Sequence, residues 1–177
     1  MNTEYEIRVL EIDKEKLIKK LKELGAEFKG DNEQKRYVYD IIPKEDGKWI
    51  RLRTNGGKTT LTYKNIIKTT IDGTKELEVE VSDFEKTNEL LENMGIKSRG
   101  YQENKRTQYV LNGVEIDIDS WPMIPTYVEI EGKNEEEVMT TLKLLDLPKD
   151  KITTLDVDSV YKKYGIDLKD IKILKFN

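Results

Sequence analysis

Glu4-Tyr5-Glu6-Ile7-Arg8 sets two carboxylates and a guanidinium at every second position near the start of the chain. Alternate residues of a strand face alternate sides, so Glu4, Glu6 and Arg8 share one face, and Tyr5, Ile7 and Val9 the other. Neighbouring carboxylates repel, and a fold that sets them side by side usually gives them a cation. The alternation returns in Arg51-Leu52-Arg53, Glu76-Leu77-Glu78-Val79-Glu80, Glu115-Ile116-Asp117-Ile118-Asp119 and Glu129-Ile130-Glu131. One such strand describes a solvated sheet face. Five in one chain, some acidic and some basic, suggest a sheet whose polar face surrounds something charged.

The basic set on that parity is Arg8, Arg51, Arg53, Lys64 and Arg106. Converging guanidinium and ammonium groups demand a polyanion, and arginine forks suit phosphate oxygens. The acidic set is Glu4, Glu6, Glu78, Glu80, Asp117, Asp119, Glu129 and Glu131. In the same cavity these carboxylates would repel the polyanion unless divalent cations bridged them, which is what a metal-assisted triphosphate site needs. No glycine-rich Walker loop is present, so side chains rather than backbone amides would hold the phosphates. The competing account is a charged surface whose arginines and glutamates pair across strands, each pair contributing about 0.2–1 kcal/mol. Spacing alone leaves both open.

Composition narrows the chemistry further. The 177 residues contain no Cys and no His, which removes disulfides, thiolate nucleophiles and the commonest general base. Any metal is therefore expected to be hard and oxygen-ligated, which means Mg²⁺, Mn²⁺ or Ca²⁺. The net charge of −4, from 31 basic and 35 acidic residues, gives no general affinity for nucleic acid or membrane. No apolar N-terminal stretch reads as a signal peptide and no apolar run approaches a membrane span, so a soluble cytoplasmic protein is expected.

The elements that must position these residues follow from periodicity and turn signals. After the first strand, Asp13 can cap a helix carrying Leu17, Ile18, Leu21 and Leu24 on one face, with Gly25 beyond its end. Strands are expected over 34–41, 49–54 and 59–64, the last two joined by Asn55-Gly56-Gly57, and 65–74 reads as a loop. A second cycle opens with a Glu-rich strand over 75–81. A helix carrying Phe84, Leu90, Leu91 and Met94 follows, capped by Ser82 or Asp83 and ended by Gly95. Strands then follow over 106–111, 114–120 and 127–131, with a helix over 135–145. Gly95 lies seventy positions after Gly25, and Glu103-Asn104-Lys105-Arg106 echoes Glu33-Gln34-Lys35-Arg36 at the same spacing. The expected domain is single, 1–177, with 1–70 and 71–145 as pseudo-repeats and 146–177 as a helical tail. Its last part, 158–177, is expected to plug one tunnel end or mediate a dimer contact. Trp49 and Trp121 are expected to pack, with Trp121 also placed to edge a tunnel mouth. Apolar faces must meet the helices, so if the sheet closes, its charged face becomes a lumen.

These residues resemble the CYTH family, the triphosphate tunnel enzymes that include class IV adenylyl cyclases and thiamine or inorganic triphosphatases. The N-terminal Glu-x-Glu-x-Lys signature is matched by Glu4 and Glu6, with Arg8 in the lysine's place. The Arg-x-Arg strand is matched by Arg51 and Arg53, the Leu-Thr-x-Lys strand by Leu61-Thr62-Tyr63-Lys64, and the paired glutamates by Glu78 and Glu80. Asn104 and Arg106 stand at the late Lys-x-Arg element, with its lysine missing, and Asp119, Glu129 and Glu131 close the series. The motifs run in order from residue 4 to about residue 165.

The resemblance implies an α+β fold built on an eight-stranded antiparallel β-barrel, the triphosphate tunnel, with helices packed outside. It implies a Mg²⁺- or Mn²⁺-dependent enzyme acting on a nucleoside triphosphate, tripolyphosphate or thiamine triphosphate. Glu4, Glu6 and Arg8 become catalytic candidates. Arg8, Arg51, Arg53, Lys64 and Arg106 would hold phosphate, with Arg36 a further candidate that no motif supports. By this resemblance Glu4, Glu6, Asp119, Glu129 and Glu131 would be on the metal side, and Glu78, Glu80 and Asp117 of the acidic set are further metal candidates. Arg8 keeps the charge but cannot give up a proton, which excludes acid–base work there. Asn104 removes one positive charge. The segment 114–132 is more similar to the class IV cyclase branch than to the triphosphatases, but cyclase and phosphohydrolase need the same clamp. A binding module without turnover is the alternative; it would gain nothing from a full carboxylate set.

Overall fold

The computed structural model describes residues 1–177. Eight strands close on themselves: β1 (Asn2–Val9), β2 (Glu27–Asp40), β3 (Lys48–Thr54), β4 (Thr59–Ile66), β5 (Thr74–Val81), β6 (Ser98–Leu111), β7 (Val114–Ser120) and β8 (Tyr127–Gly132). Around the barrel the order is β6-β2-β3-β4-β5-β1-β8-β7, and β7 returns to β6. Every neighbouring pair is antiparallel. The two-residue strands β9 (Ile152–Thr153) and β10 (Ile173–Leu174) add to β1 and β6 from outside this ring.

The expected strands are present, but β2 and β6 are each 14 residues long and begin well before the expected 34 and 106. Their first halves, such as Lys29-Gly30-Asp31-Asn32-Glu33, lack the apolar alternation that marks a half-buried strand. They form strand because they pair with each other, from Glu27 opposite Val110 to Tyr39 opposite Ser98. A register shift between Phe28 and Gly30 is accommodated by Gly30 at φ +140°, which a side-chain-bearing residue rarely adopts.

Four helices pack outside: α1 (Lys14–Glu23), α2 (Phe84–Asn93), α3 (Glu135–Leu145) and α4 (Val157–Lys163). Asp13, Asp83, Asn134 and Asp156 cap them, each side chain accepting a backbone N–H of the first turn. The barrel inverts the usual arrangement, since its hydrophobic core lies outside the wall. Outward-facing Ile7, Val9, Ile116, Ile118, Val128 and Ile130 meet Leu17 and Leu21 of α1 and Val138, Leu142 and Leu145 of α3. Tyr39 and Leu52 meet Phe84 and Leu91 of α2. The element order strand–helix–three strands runs twice, as β1-α1-β2-β3-β4 and β5-α2-β6-β7-β8. No helix is long and apolar enough to cross a membrane.

Residues 146–177 are not purely helical. They contain β9, α4, β10 and two 3₁₀ turns. Val160, Tyr161, Leu168 and Leu174 form a separate cluster with Trp121, Ile124 and Tyr127. The Tyr161 hydroxyl donates to the Pro122 carbonyl at 2.7 Å. Arg8 reaches from inside the barrel to the Leu155 carbonyl at 2.7 Å, and Val157 lines the lumen. The tail thus lies across one end of the barrel.

Candidate functional site

Strand parity carries the charged residues inward. The lumen holds a cavity of about 360 Å³ lined by charged and polar side chains, with only Trp121 and Val157 hydrophobic. On the β2–β4 side, Arg36 stands directly opposite Arg53, and Arg51 takes the next inward position of β3, opposite Thr62. Like charges set opposite each other on a sheet destabilise it. The consequence shows in their acidity. Burial and then the Arg51 charge push Arg36 down to about 10. The Arg51 charge first, then burial, pushes Arg53 down to about 9. Neither Arg36 nor Arg53 forms a salt bridge, and Arg51 reaches only Glu78, at 3.7 Å.

Six buried side-chain polar atoms have no hydrogen-bond partner: Arg36 Nε, Arg51 Nε, Thr60 Oγ1, Asp117 Oδ1, Trp121 Nε1 and Tyr127 Oη. All six belong to the inward parity of their strands or its continuation. Buried polar groups are almost always bonded, and four of these six residues, Arg36, Arg51, Asp117 and Trp121, line the one cavity, which marks it as a place built for a polar ligand.

The acidic residues divide into two groups. In the first, Arg106 donates from Nε to Asp119 at 2.8 Å, from Nη2 to Asp119 at 2.5 Å and to Glu129 at 2.6 Å, and from Nη1 to Asp117. One cation faces three carboxylates here. Burial leads in pushing Asp117 up to about 7, over the opposing Arg106 charge. Glu129 stays well below the usual carboxylate range; burial opposes this, but Arg8 and Arg106 outweigh it. Replacing Arg106 by Gln is expected to cost about 3–5 kcal/mol of stability, because buried carboxylates lose their partner. Denaturant unfolding checks this.

The second group is Glu4, Glu6 and Glu131, whose carboxylate oxygens lie within 4.8 Å of one another. Lys64 donates to Glu4 at 2.6 Å and 2.9 Å, and Arg8 pairs with Glu6 at 2.5 Å and with Glu129 at 2.7 Å. Those cations do not satisfy the cluster. Burial, then Glu6 and Glu4, raise Glu131 to about 8. Burial likewise raises Glu4 and Glu6, against Lys64 and Arg8 respectively. Three hard oxygen donors that resist ionising together fit a divalent cation.

All the residues expected at the site line this cavity except Glu80. Glu80 has the inward parity but sits at the rim, exposed, and pairs with Lys58 at 3.6 Å. Glu78 belongs to the basic side. It accepts from the Thr62 hydroxyl at 2.7 Å, and it is held below its usual range because Thr62 and Arg51 outweigh burial. Asp117, Asp119 and Glu129 are gathered on Arg106 rather than with Glu4, Glu6 and Glu131. Sequence reasoning passed over Glu76, which pairs with Lys64 at 3.4 Å, and Glu115, though both share the parity of chosen neighbours. It also passed over Gln34 and Gln108, for which only strand parity was a signal. Trp121 both packs and lines the lumen, with the Arg36 guanidinium 4.4 Å above its ring.

Comparison with known proteins gives a consistent result. The model of the CYTH domain matches residues 2–152. A protein of Methanocaldococcus jannaschii named "Putative adenylate cyclase" is 30% identical over 162 residues, spanning 84% of this chain and 93% of that protein. Among solved structures, a Pyrococcus horikoshii protein superposes with a TM-score of 0.75 at 28% identity, over 86% of this chain and 96% of that one. A Pyrococcus furiosus protein does so with a TM-score of 0.77 at 26% identity, over 88% and 98%.

Proposed function

This chain belongs to the CYTH domain family, and on that premise we propose that it hydrolyses a triphosphate in the lumen with the help of a divalent cation. One observation carries the reading: Arg36, Arg51 and Arg53 form a wall of cations without adequate counter-charge, while in the same lumen Glu4, Glu6 and Glu131 crowd together with more negative charge than Lys64 and Arg8 offset. A bound polyanion and a divalent metal would complete both.

The arginine forks would orient phosphate oxygens and stabilise charge as it builds on them. Lys64, tethered between Glu4 and Glu76, stands between the two walls and would hold the end of the chain of phosphates nearest the metal side. Mg²⁺ or Mn²⁺ on Glu4, Glu6 and Glu131 would supply electrostatic stabilisation and a more acidic water. With no His or Cys in the chain, the carboxylates are the lumen side chains suited to accept the proton of the attacking water. Asp117 is the lumen group brought to about 7, and its Oδ1 has no partner, so it is assigned that role. Arg8 contributes charge and position only.

The lining favours inorganic tripolyphosphate over a nucleotide or thiamine triphosphate. A base needs an apolar or aromatic platform, and the one aromatic side chain in the cavity, Trp121, already has Arg36 against its face. The cyclase reading, in which a ribose hydroxyl attacks the α-phosphorus of ATP, has the name of the M. jannaschii relative in its favour. Holding anions without turnover is disfavoured by the carboxylates beside the basic wall.

Incubation with Mg²⁺ or Mn²⁺ and tripolyphosphate, ATP or thiamine triphosphate separates the readings. The expected result is orthophosphate and pyrophosphate from tripolyphosphate, lost in the Glu4→Ala/Glu6→Ala variant. Cyclic AMP from ATP would replace hydrolysis with cyclisation, and binding without products would remove catalysis.

A further inference from the structure

Arg8 and Arg106 are neutralised by the carboxylates around them, whereas Arg36, on the basic side of the same lumen and 6% exposed, is not. The difference lies in what stands between Arg36 and the nearest carboxylate. Asn104 is 1% exposed and its side chain bridges the gap: Oδ1 accepts from Arg36 Nη2 at 2.7 Å, and Nδ2 donates to Asp119 Oδ1 at 3.2 Å. A guanidinium can only donate and a carboxylate can only accept, so this orientation of the amide is the one that satisfies both. Asp119 is already bound twice by Arg106. Without the amide between them, Arg36 would close onto Asp119 as Arg106 has done.

We propose that Asn104 is a positioning residue, a neutral spacer that keeps the Arg36 guanidinium off the acidic wall and presents it to a bound polyphosphate. The residue types available at this point are few. An aspartate would pair with Arg36 and repel Asp119. A lysine would pair with Asp119 and repel Arg36. An amide joins the two without charge, and Arg36 is held by it on one side and by the Trp121 ring on the other. Gln34, 3.4 Å from Nη2, adds a second neutral acceptor and again no carboxylate. The neutral amide at position 104 leaves the Arg36 charge uncancelled, and the two residues act as one cationic unit.

The proposal rests on the reading of the lumen as a polyphosphate site, and calorimetric titration of the full chain with tripolyphosphate in the presence of a chelator tests the two separately. Asn104→Asp, close in shape to the native residue, is expected to weaken binding roughly 10- to 100-fold by pairing with Arg36. Asn104→Ala, which withdraws the spacer without adding charge and covers the case in which the aspartate variant does not fold, is expected to weaken it several-fold. In an Arg36→Ala background Asn104→Ala is expected to change the dissociation constant no more than about twofold, since the residue it acts through is gone, while Asn104→Asp keeps only the direct repulsion of its added charge. With Trp49→Phe leaving Trp121 as the one indole, its emission is expected to shift in the same direction for Asn104→Ala as for Arg36→Ala. An Asn104→Ala penalty that persists undiminished in the Arg36→Ala background, or an unchanged dissociation constant for both single variants, would overturn the proposal while leaving the polyphosphate site standing. Absence of binding by the native chain would overturn the site reading and the proposal together.

Discussion

The Arg51→Ala/Arg53→Ala variant is expected to bind tripolyphosphate roughly 1,000-fold more weakly than the native chain, and yet to unfold at a higher temperature. The two effects have one cause. Arg53 is forced down to about 9 by its neighbour Arg51 and by burial, and Arg36 stands opposite it across β2 and β3. Arg36 and Arg53 are held against Arg51 without a salt-bridge partner, and Arg51 has only Glu78 at 3.7 Å, at a cost to the folded state. A ligand carrying several negative charges turns that cost into affinity. Removing two of the three arginines removes both. A gain of 1 kcal/mol in a domain of this size raises the melting temperature by about 2–4 °C. Calorimetric binding together with thermal unfolding reads the two effects in one preparation. A fall in melting temperature would show that the wall is structural. Arg106 makes the internal contrast, since a guanidinium bonded to three carboxylates holds the fold together.

The second large effect is on metal. At a Mn²⁺ concentration of about 100 times its dissociation constant, the native chain is expected to gain about 2.7 kcal/mol of stability. With Glu131→Gln and an affinity on the order of 100-fold lower, about 0.4 kcal/mol would remain at the same concentration. The pH dependence follows from the position of Glu131 at about 8, above its ordinary 4.5. Between these values the folded, metal-free chain keeps a proton that the unfolded chain has released, so its stability falls as pH rises through that window. A cation displaces that proton and gains most where the carboxylate is already bare. The rise in melting temperature with Mn²⁺ is therefore expected to be larger at pH 8.5 than at pH 6. The Glu131→Gln chain is expected to lose both the metal response and this part of the pH slope. Equal shifts in the two chains would place the cation elsewhere.

Much of the lumen was legible because strand parity is a short-range property. Glu4, Glu6, Arg51, Arg53, Glu129 and Glu131 point inward for the same reason that Ile7, Leu52 and Ile130 point outward, and five residues of sequence suffice to show it. Which charges neutralise each other was not legible. Arg106 meets Asp119 only because β6 pairs with β7, and Arg8 meets Glu129 only because β1 pairs with β8. These are long-range registers that no local pattern encodes. Arg36 stood in no motif, and its importance comes from facing Arg53 across β2 and β3 and from leaning on Asn104 across β2 and β6. Glu80 shows the opposite error. Its parity is right, but it lies near the β4–β5 rim, where Lys58 meets it. The early halves of β2 and β6 were missed because they are polar on both faces, and what makes them strands is each other.

Closure of the barrel also bears on how this chain can vary in length. A residue inserted into the middle of β3 would turn Arg53 out towards α2 and bring an apolar neighbour inward, and β3 is bonded on both flanks, so no free edge can absorb the slip. The shift tolerated at Phe28–Gly30 lies in the polar first half of β2, ahead of the lumen residues that follow. Insertions and deletions should therefore survive in pairs or as bulges within strands, and freely only in the connections at 55–58, 67–73 and 112–113. A screen of single-codon insertions would trace the inward-facing strands by the positions that accept none.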